Sequence, residues 1–153
     1  MVLEFIGADR EVTGSCHYLT FGDTHILIDC GMEQGADLYV NQEIPVNPSL
    51  IDYVFVTHAH IDHSGRIPKL YNEGFKNKIY AHKATCDLCA LMLPDSGHIQ
   101  EMENEWKNRK RMRKGLEARE PLYTAEQAAR CLEIFEPVQY DQIIDITPVS
   151  YTH

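Results

Sequence analysis

The sequence contains no apolar run of the ~18 residues that a membrane-spanning helix needs. Basic charge is not in excess. Fourteen Lys and Arg stand against 23 Asp and Glu, a formal net charge of −9. That balance argues against broad electrostatic binding to nucleic acid, but a carboxylate-rich site can still recruit metal ions that face a phosphate. Met1 to Ile6 shows no basic stretch followed by an apolar block, so no secretory leader is expected. Internal repeats and low-complexity linkers are also missing. The cysteines are Cys16, Cys30, Cys86, Cys89 and Cys131. Their odd number and scatter argue against a disulfide scaffold and for reduced thiols in a cytoplasmic protein. Cys86-x-x-Cys89 has no second pair to complete the ~4 ligands of a zinc site. It reads as a helix with partly buried thiols beside Leu88, Leu91 and Met92.

What is present is the material of one α/β domain. The chain has 153 residues, 44% of them hydrophobic and 24% charged, enough for a real core. Strands are expected at Val2 to Ile6, Cys16 to Phe21 and Thr24 to Ile28, the last two joined at the turn Gly22-Asp23. A loop with Gly35, Pro45 and Pro48 follows. Tyr53-Val54-Phe55-Val56 is a continuous apolar run, as in a strand buried on both faces. A helix is expected from Asp62 to about Asn72, then a short strand at Ile79 to Ala81. Thr85 to Leu93 reads as a helix stopped by Pro94, and a second helix runs from Asp95 or Ser96 to about Lys114. Thr124-x-x-Gln127 is a capping box opening a helix that Pro137 ends. Ile143 to Ile146 is the last expected strand. Strands separated by helices indicate a layered α/β domain.

The chemistry concentrates in His58-x-His60-x-Asp62-His63. Alternate residues of an extended chain point the same way, ~7 Å apart, so His58 and His60 can reach one ion together. Asp62 and His63 follow where the chain turns into a helix and can point back to a second ion. Imidazole suits zinc, and carboxylate with imidazole suits zinc, iron or manganese. The end of a strand in an α/β sheet is also where ligands usually bind.

His58-Ala59-His60-Ile61-Asp62-His63 resembles the HxHxDH signature of the metallo-β-lactamase superfamily. Asp29, in Ile26-Leu27-Ile28-Asp29-Cys30-Gly31, matches the acid of the family's first motif, whose implied role is to orient ligands. Gly7-Ala8 through Val12-Thr13-Gly14-Ser15-Cys16, and His63-Ser64-Gly65-Arg66-Ile67-Pro68, are similar to the bacterial β-CASP RNA-processing nucleases. So are Leu93-Pro94-Asp95-Ser96-Gly97-His98-Ile99-Gln100-Glu101 and Glu120-Pro121-Leu122-Tyr123-Thr124. The resemblance implies an αββα sandwich of which residues 1–147 are the N-terminal part. It implies two divalent ions, zinc first among them, with His58 and His60 on one and Asp62 and His63 on the other. It also implies phosphodiester hydrolysis, with RNA as substrate and Asp62 additionally orienting the attacking water.

Members of this family add a third His, a bridging Asp, an inserted β-CASP domain and a late His. The segment Pro148-Val149-Ser150-Tyr151-Thr152-His153 departs from their pattern, so 148–153 is expected to be a non-native tail. His153 stands near the place of the third ligand but in the wrong context. His98, beside Gly97, is the other outlying candidate: it could approach from a turn, but a capping or surface histidine is the first reading. The run Lys107 to Lys114 could grip an RNA backbone but reads first as a solvated helix end, with Glu103–Lys107 and Glu105–Arg109 pairs and a buried stripe of Ile99, Met102 and Trp106. Two rival functions share the motif: a small-molecule thioester or lactone hydrolase, and a non-catalytic metal-binding fragment. Neither membrane binding nor a particular oligomeric state is implied.

Overall fold

A computed structural model gives the structure of the protein and describes residues 1–35, 41, 43, 44 and 46–145. Three strands lead: β1 (Val2–Gly7), β2 (Cys16–Phe21) and β3 (Thr24–Ile28), paired antiparallel. Phe21 pairs with Thr24 across a two-residue turn in which Gly22 takes a φ of 58°, the left-handed conformation such tight hairpins need. The chain then adds β4 (Tyr53–Val56), β5 (Ile79–His82) and β6 (Phe135–Val138), all parallel, in the spatial order β1-β2-β3-β4-β5-β6. The helices are α1 (Ile61–Ser64), α2 (Ile67–Asn72), α3 (Lys83–Met112) and α4 (Ala125–Cys131). Parallel pairing brings the carboxyl ends of β3, β4 and β5 to one edge of the sheet, and the residues following them hold the site.

Period-two alternation decides which side of the sheet is covered. Leu27, Val54, Val56, Ile79 and Ala81 are buried with Ile67, Leu70, Cys89, Leu93, Ala128 and Cys131 from the helices. Each large side chain so placed contributes roughly 1.5–3 kcal/mol. The other side holds Phe55 and Tyr80, stacked with ring centroids 5.4 Å apart and only half-buried. Phe5 on the same side is 64% exposed. β4 is thus buried on one face and half-open on the other, not on both as its apolar run suggests.

The long helices differ from expectation in four places. The helix after the histidines is broken into α1 and α2, because Pro68 has no N–H to continue the ladder back to Ser64. In contrast, α3 runs unbroken for 30 residues through Pro94. Buried Cys89, Leu93 and Gly97, spaced four apart, hold both sides of Pro94 in place. Gly97 allows α4 so close that a Cβ there would lie 2.7 Å from the Ala125 nitrogen. That packing offsets the ~3 kcal/mol a helix-interior proline costs. Ile99, Met102 and Trp106 are 44%, 54% and 57% exposed rather than buried. They sit roughly 130° around the helix from the Thr85-Cys89-Leu93-Gly97 face. The capping box at Thr124 forms as expected, but α4 ends at Cys131 and Phe135–Val138 becomes an edge strand, where Pro137 is tolerated. Ile143 to Asp145 are not in a strand, and Ile146 and the tail 148–153 lie outside the described residues.

Candidate metal centre

The turn bearing Asp62 and His63 is clamped by backbone donors from the preceding strands. Ser15 N donates to the Asp62 carbonyl at 2.8 Å, Cys30 N to the His63 carbonyl at 2.8 Å, and Met32 N to the Ile61 carbonyl at 2.9 Å. Gly31 makes this approach possible: a Cβ there would lie 1.7 Å from the Asp62 carbonyl oxygen. From the other side, the buried Ser64 hydroxyl donates to the Ala59 carbonyl at 2.9 Å. The four motif side chains therefore project from a fixed turn.

Two donor pairs result. His58 Nε2 and His60 Nδ1 lie 3.1 Å apart. Two nitrogens on one tetrahedral ion at ~2.05 Å are about 3.3 Å apart, so this pair has the spacing of co-ligands. His63 Nε2 and Asp62 Oδ2 lie 3.7 Å apart, slightly wider than a tetrahedral pair. The His58 and His63 rings, one from each pair, have centroids 4.0 Å apart, so the pairs adjoin. Burial, reinforced by the neighbouring His63 and His60, lowers the His58 pKa and favours the neutral ring a metal requires.

Asp29 backs this arrangement. It is 2% exposed and held at a φ of 61°. Its carboxylate accepts from Thr57 N at 2.8 Å, from Thr57 Oγ1 at 2.9 Å, from Ser15 Oγ at 3.1 Å and from His63 Nδ1 at 2.7 Å. A carboxylate only accepts, so His63 carries its proton on Nδ1 and turns the Nε2 lone pair outward. Ser15 and Thr57 were not singled out from the sequence. Their only signal was position, immediately before Cys16 and His58.

The outlying candidates fare differently. His98 is exposed in the middle of α3 rather than in a turn, about 23 Å of helix from the Lys83 end. His153 lies outside the described residues. The other histidines have structural partners: His17 packs edge-on to Phe5, His25 Nδ1 lies 2.6 Å from Tyr18 Oη, and His82 Nδ1 caps α3 by accepting from Ala84 N at 3.2 Å. Among the described residues no three His, Cys, Asp or Glu side chains converge on one ion.

The metallo-beta-lactamase superfamily model matches residues 9–127, which include all five of these residues. The chain belongs to the metallo-beta-lactamase superfamily. It is 34% identical over 145 residues to "Ribonuclease TTHA0252" of Thermus thermophilus, covering 94% of this chain and 30% of that protein. It is likewise 34% identical over 149 residues to "Transcription termination factor FttA" of Methanosarcina mazei, covering 94% of this chain and 21% of that one. These relatives belong to the β-CASP RNA-processing nucleases that the sequence strings resemble. The chain thus spans under a third of the length of the relatives it matches. Among solved structures, the subclass B3 metallo-beta-lactamase MEM-A1 from a soil metagenome library superposes with a TM-score of 0.52 at 18% identity, over 95% of this chain and 46% of that one. That likeness speaks to fold. The superfamily is one of divalent-metal proteins. Among the described residues no helix is long and apolar enough to cross a membrane.

Proposed function

We propose that this chain is the metal-binding part of a two-metal phosphodiesterase acting on RNA. The carrying observation is the 3.1 Å spacing of His58 Nε2 and His60 Nδ1 beside the Asp62–His63 pair. The names of the relatives support RNA as substrate. His58 and His60 would hold one divalent ion, and Asp62 and His63 the other. Zinc suits this mixture of imidazole and carboxylate best. Bound there, the ions would lower the pKa of a water and stabilise charge on the phosphate. The protein's own part is positional: Asp29 fixes the His63 ring, the clamped turn aims Asp62, and Asp62 orients the attacking water.

For the 153 residues taken alone, two donors per ion favour weak metal binding without turnover. Isothermal titration with zinc, paired with hydrolysis assays on single-stranded RNA, DNA and a thioester, tests both levels. Zinc-dependent cleavage of RNA in a chain extended to the length of its relatives supports the nuclease. Cleavage of the thioester alone would replace it with a small-molecule hydrolase.

A further inference from the structure

Thr57 makes a contact that its bonds to Asp29 do not account for. Its backbone N–H donates to Asp29 Oδ1 at 2.8 Å, and its hydroxyl lies 3.0 Å from Oδ1 and 2.9 Å from Oδ2. The same Oγ1 lies 3.1 Å from His58 Nδ1. A hydroxyl has one proton to donate and two lone pairs. A carboxylate only accepts, so the Thr57 proton is committed to Asp29. What faces His58 is then a lone pair. The 3.1 Å contact is a hydrogen bond only if His58 carries its proton on Nδ1.

The neighbouring rings leave that lone pair to His58. His63 Nδ1 is 3.4 Å from Thr57 Oγ1 but 2.7 Å from Asp29 Oδ2, and its single N–H goes to the nearer and stronger acceptor. His60 does not decide the matter. Its Nδ1 lies 3.1 Å from His58 Nε2, and a proton on either nitrogen would satisfy that contact. Thr57 breaks the tie. A neutral imidazole with its proton on Nδ1 has a bare Nε2, and Nε2 is the His58 atom that adjoins His60 Nδ1.

We propose that Thr57 is a positioning residue whose hydroxyl, anchored on Asp29, holds His58 in the Nδ1–H tautomer and so makes Nε2 its metal-donor atom. One buried carboxylate then orients a ligand in each donor pair: His63 directly, and His58 through the Thr57 hydroxyl. This rests on the reading of His58 as a ligand. It does not depend on RNA as the substrate, and its test needs no turnover.

Long-range proton–nitrogen correlation spectra of the 153-residue chain at about pH 8, above the ordinary imidazole range, read the His58 tautomer without metal and without substitution. The expected pattern is Nδ1–H. An Nε2–H ring, or an even mixture of the two, overturns the proposal. Thr57→Val then removes the hydroxyl while keeping a branched side chain and the backbone bond to Asp29. Thr57 is exposed, so no core is disturbed. In this variant the His58 tautomer should shift toward Nε2–H, and zinc affinity, titrated on the His58 ring signals, should fall roughly 10–100-fold. Thr57→Ser, which restores the hydroxyl, should keep both at the parent level. A valine variant that changes neither readout overturns the proposal, as does a serine variant that fails as fully as valine. Zinc that leaves the His58 signals unmoved overturns the ligand reading beneath it, and the tautomer in the metal-free chain tells the two failures apart.

Discussion

His63 Nδ1 donates to Asp29 Oδ2 at 2.7 Å, and the same oxygen also accepts from Ser15 and Thr57. Asp29 thus joins the ends of β3 and β4 to the turn that holds the ligands. Removing its carboxylate orphans several donors at once in a site that is 2% exposed. Asp29→Ala should cost about 3–5 kcal/mol in urea unfolding, at the upper end for a buried hydrogen-bonded group. Asp29→Asn, which tolerates the φ of 61°, should cost less. Equal losses for the two would show that the charged carboxylate, not the backbone conformation, carries the effect.

Loss of one donor pair should be visible in metal content. His60→Ala leaves His58 alone at its position. Zinc bound after dialysis, read by elemental analysis, should fall by about one ion in a chain extended to the length of its relatives. Ser15→Ala removes a hydrogen bond to Asp29, beside a longer contact to His17, and should weaken affinity by roughly 10–100-fold, as outer hydrogen bonds at metal sites do. Full occupancy in His60→Ala would remove His60 from the ligand set.

Gly97→Ala should destabilise, against the usual rule. In a helix interior this exchange normally gains ~0.5–1 kcal/mol. Here the new methyl would meet the Ala125 nitrogen at 2.7 Å and the Thr124 carbonyl carbon at 2.8 Å, both backbone atoms. Overpacking of this kind costs about 1–3 kcal/mol, so the net sign is negative. A calorimetric melting temperature above that of the parent would contradict the close α3–α4 contact.

Alkaline pH should erode stability through Cys131. Burial raises its thiol pKa from 9.0 to about 12, and nearby Cys89 is raised to about 11, also by burial. The unfolded chain loses these protons first. The stabilising effect of keeping each thiol neutral is therefore intact below pH 9 and fades as pH rises toward the folded value. For Cys131 the slope is about 1.4 kcal/mol per pH unit within that window. Urea unfolding of the parent against Cys131→Ala at pH 8 and pH 10.5 measures it. A constant difference between the two would place the Cys131 thiol in contact with water.

The legibility of the sequence was uneven for physical reasons. Strands β1 to β5 and the capping box at Thr124 are local signals, carried by branched and aromatic residues and by a side chain that caps its own helix. The candidate metal centre was readable because all four of its proposed ligands lie within His58 to His63. Pro94 misled, since its local cost is outweighed by contacts between Gly97 and α4 that only tertiary structure creates. The stripe of Ile99, Met102 and Trp106 looked like a core because periodicity shows that a face is apolar, not what it meets. β6 was missed because Pro137 signals a helix stop as readily as an edge strand. The roles of Ser15 and Thr57 were unreadable, because they depend on contacts to Asp29 from 14 and 28 residues away.

The clamp on the motif turn has a direction in time. Every backbone donor that grips it from outside comes from Ser15 and Cys30 to Met32, all made before His58 leaves the ribosome. At ~5–20 residues per second, that head start is several seconds for Ser15 and one or more for Met32. β2 and β3 can pair in this interval, with the Gly31 gap already shaped to receive the Asp62 carbonyl. The donors that grip the ligand turn from outside thus precede it in the chain, while Ser64, which follows it, braces it from within.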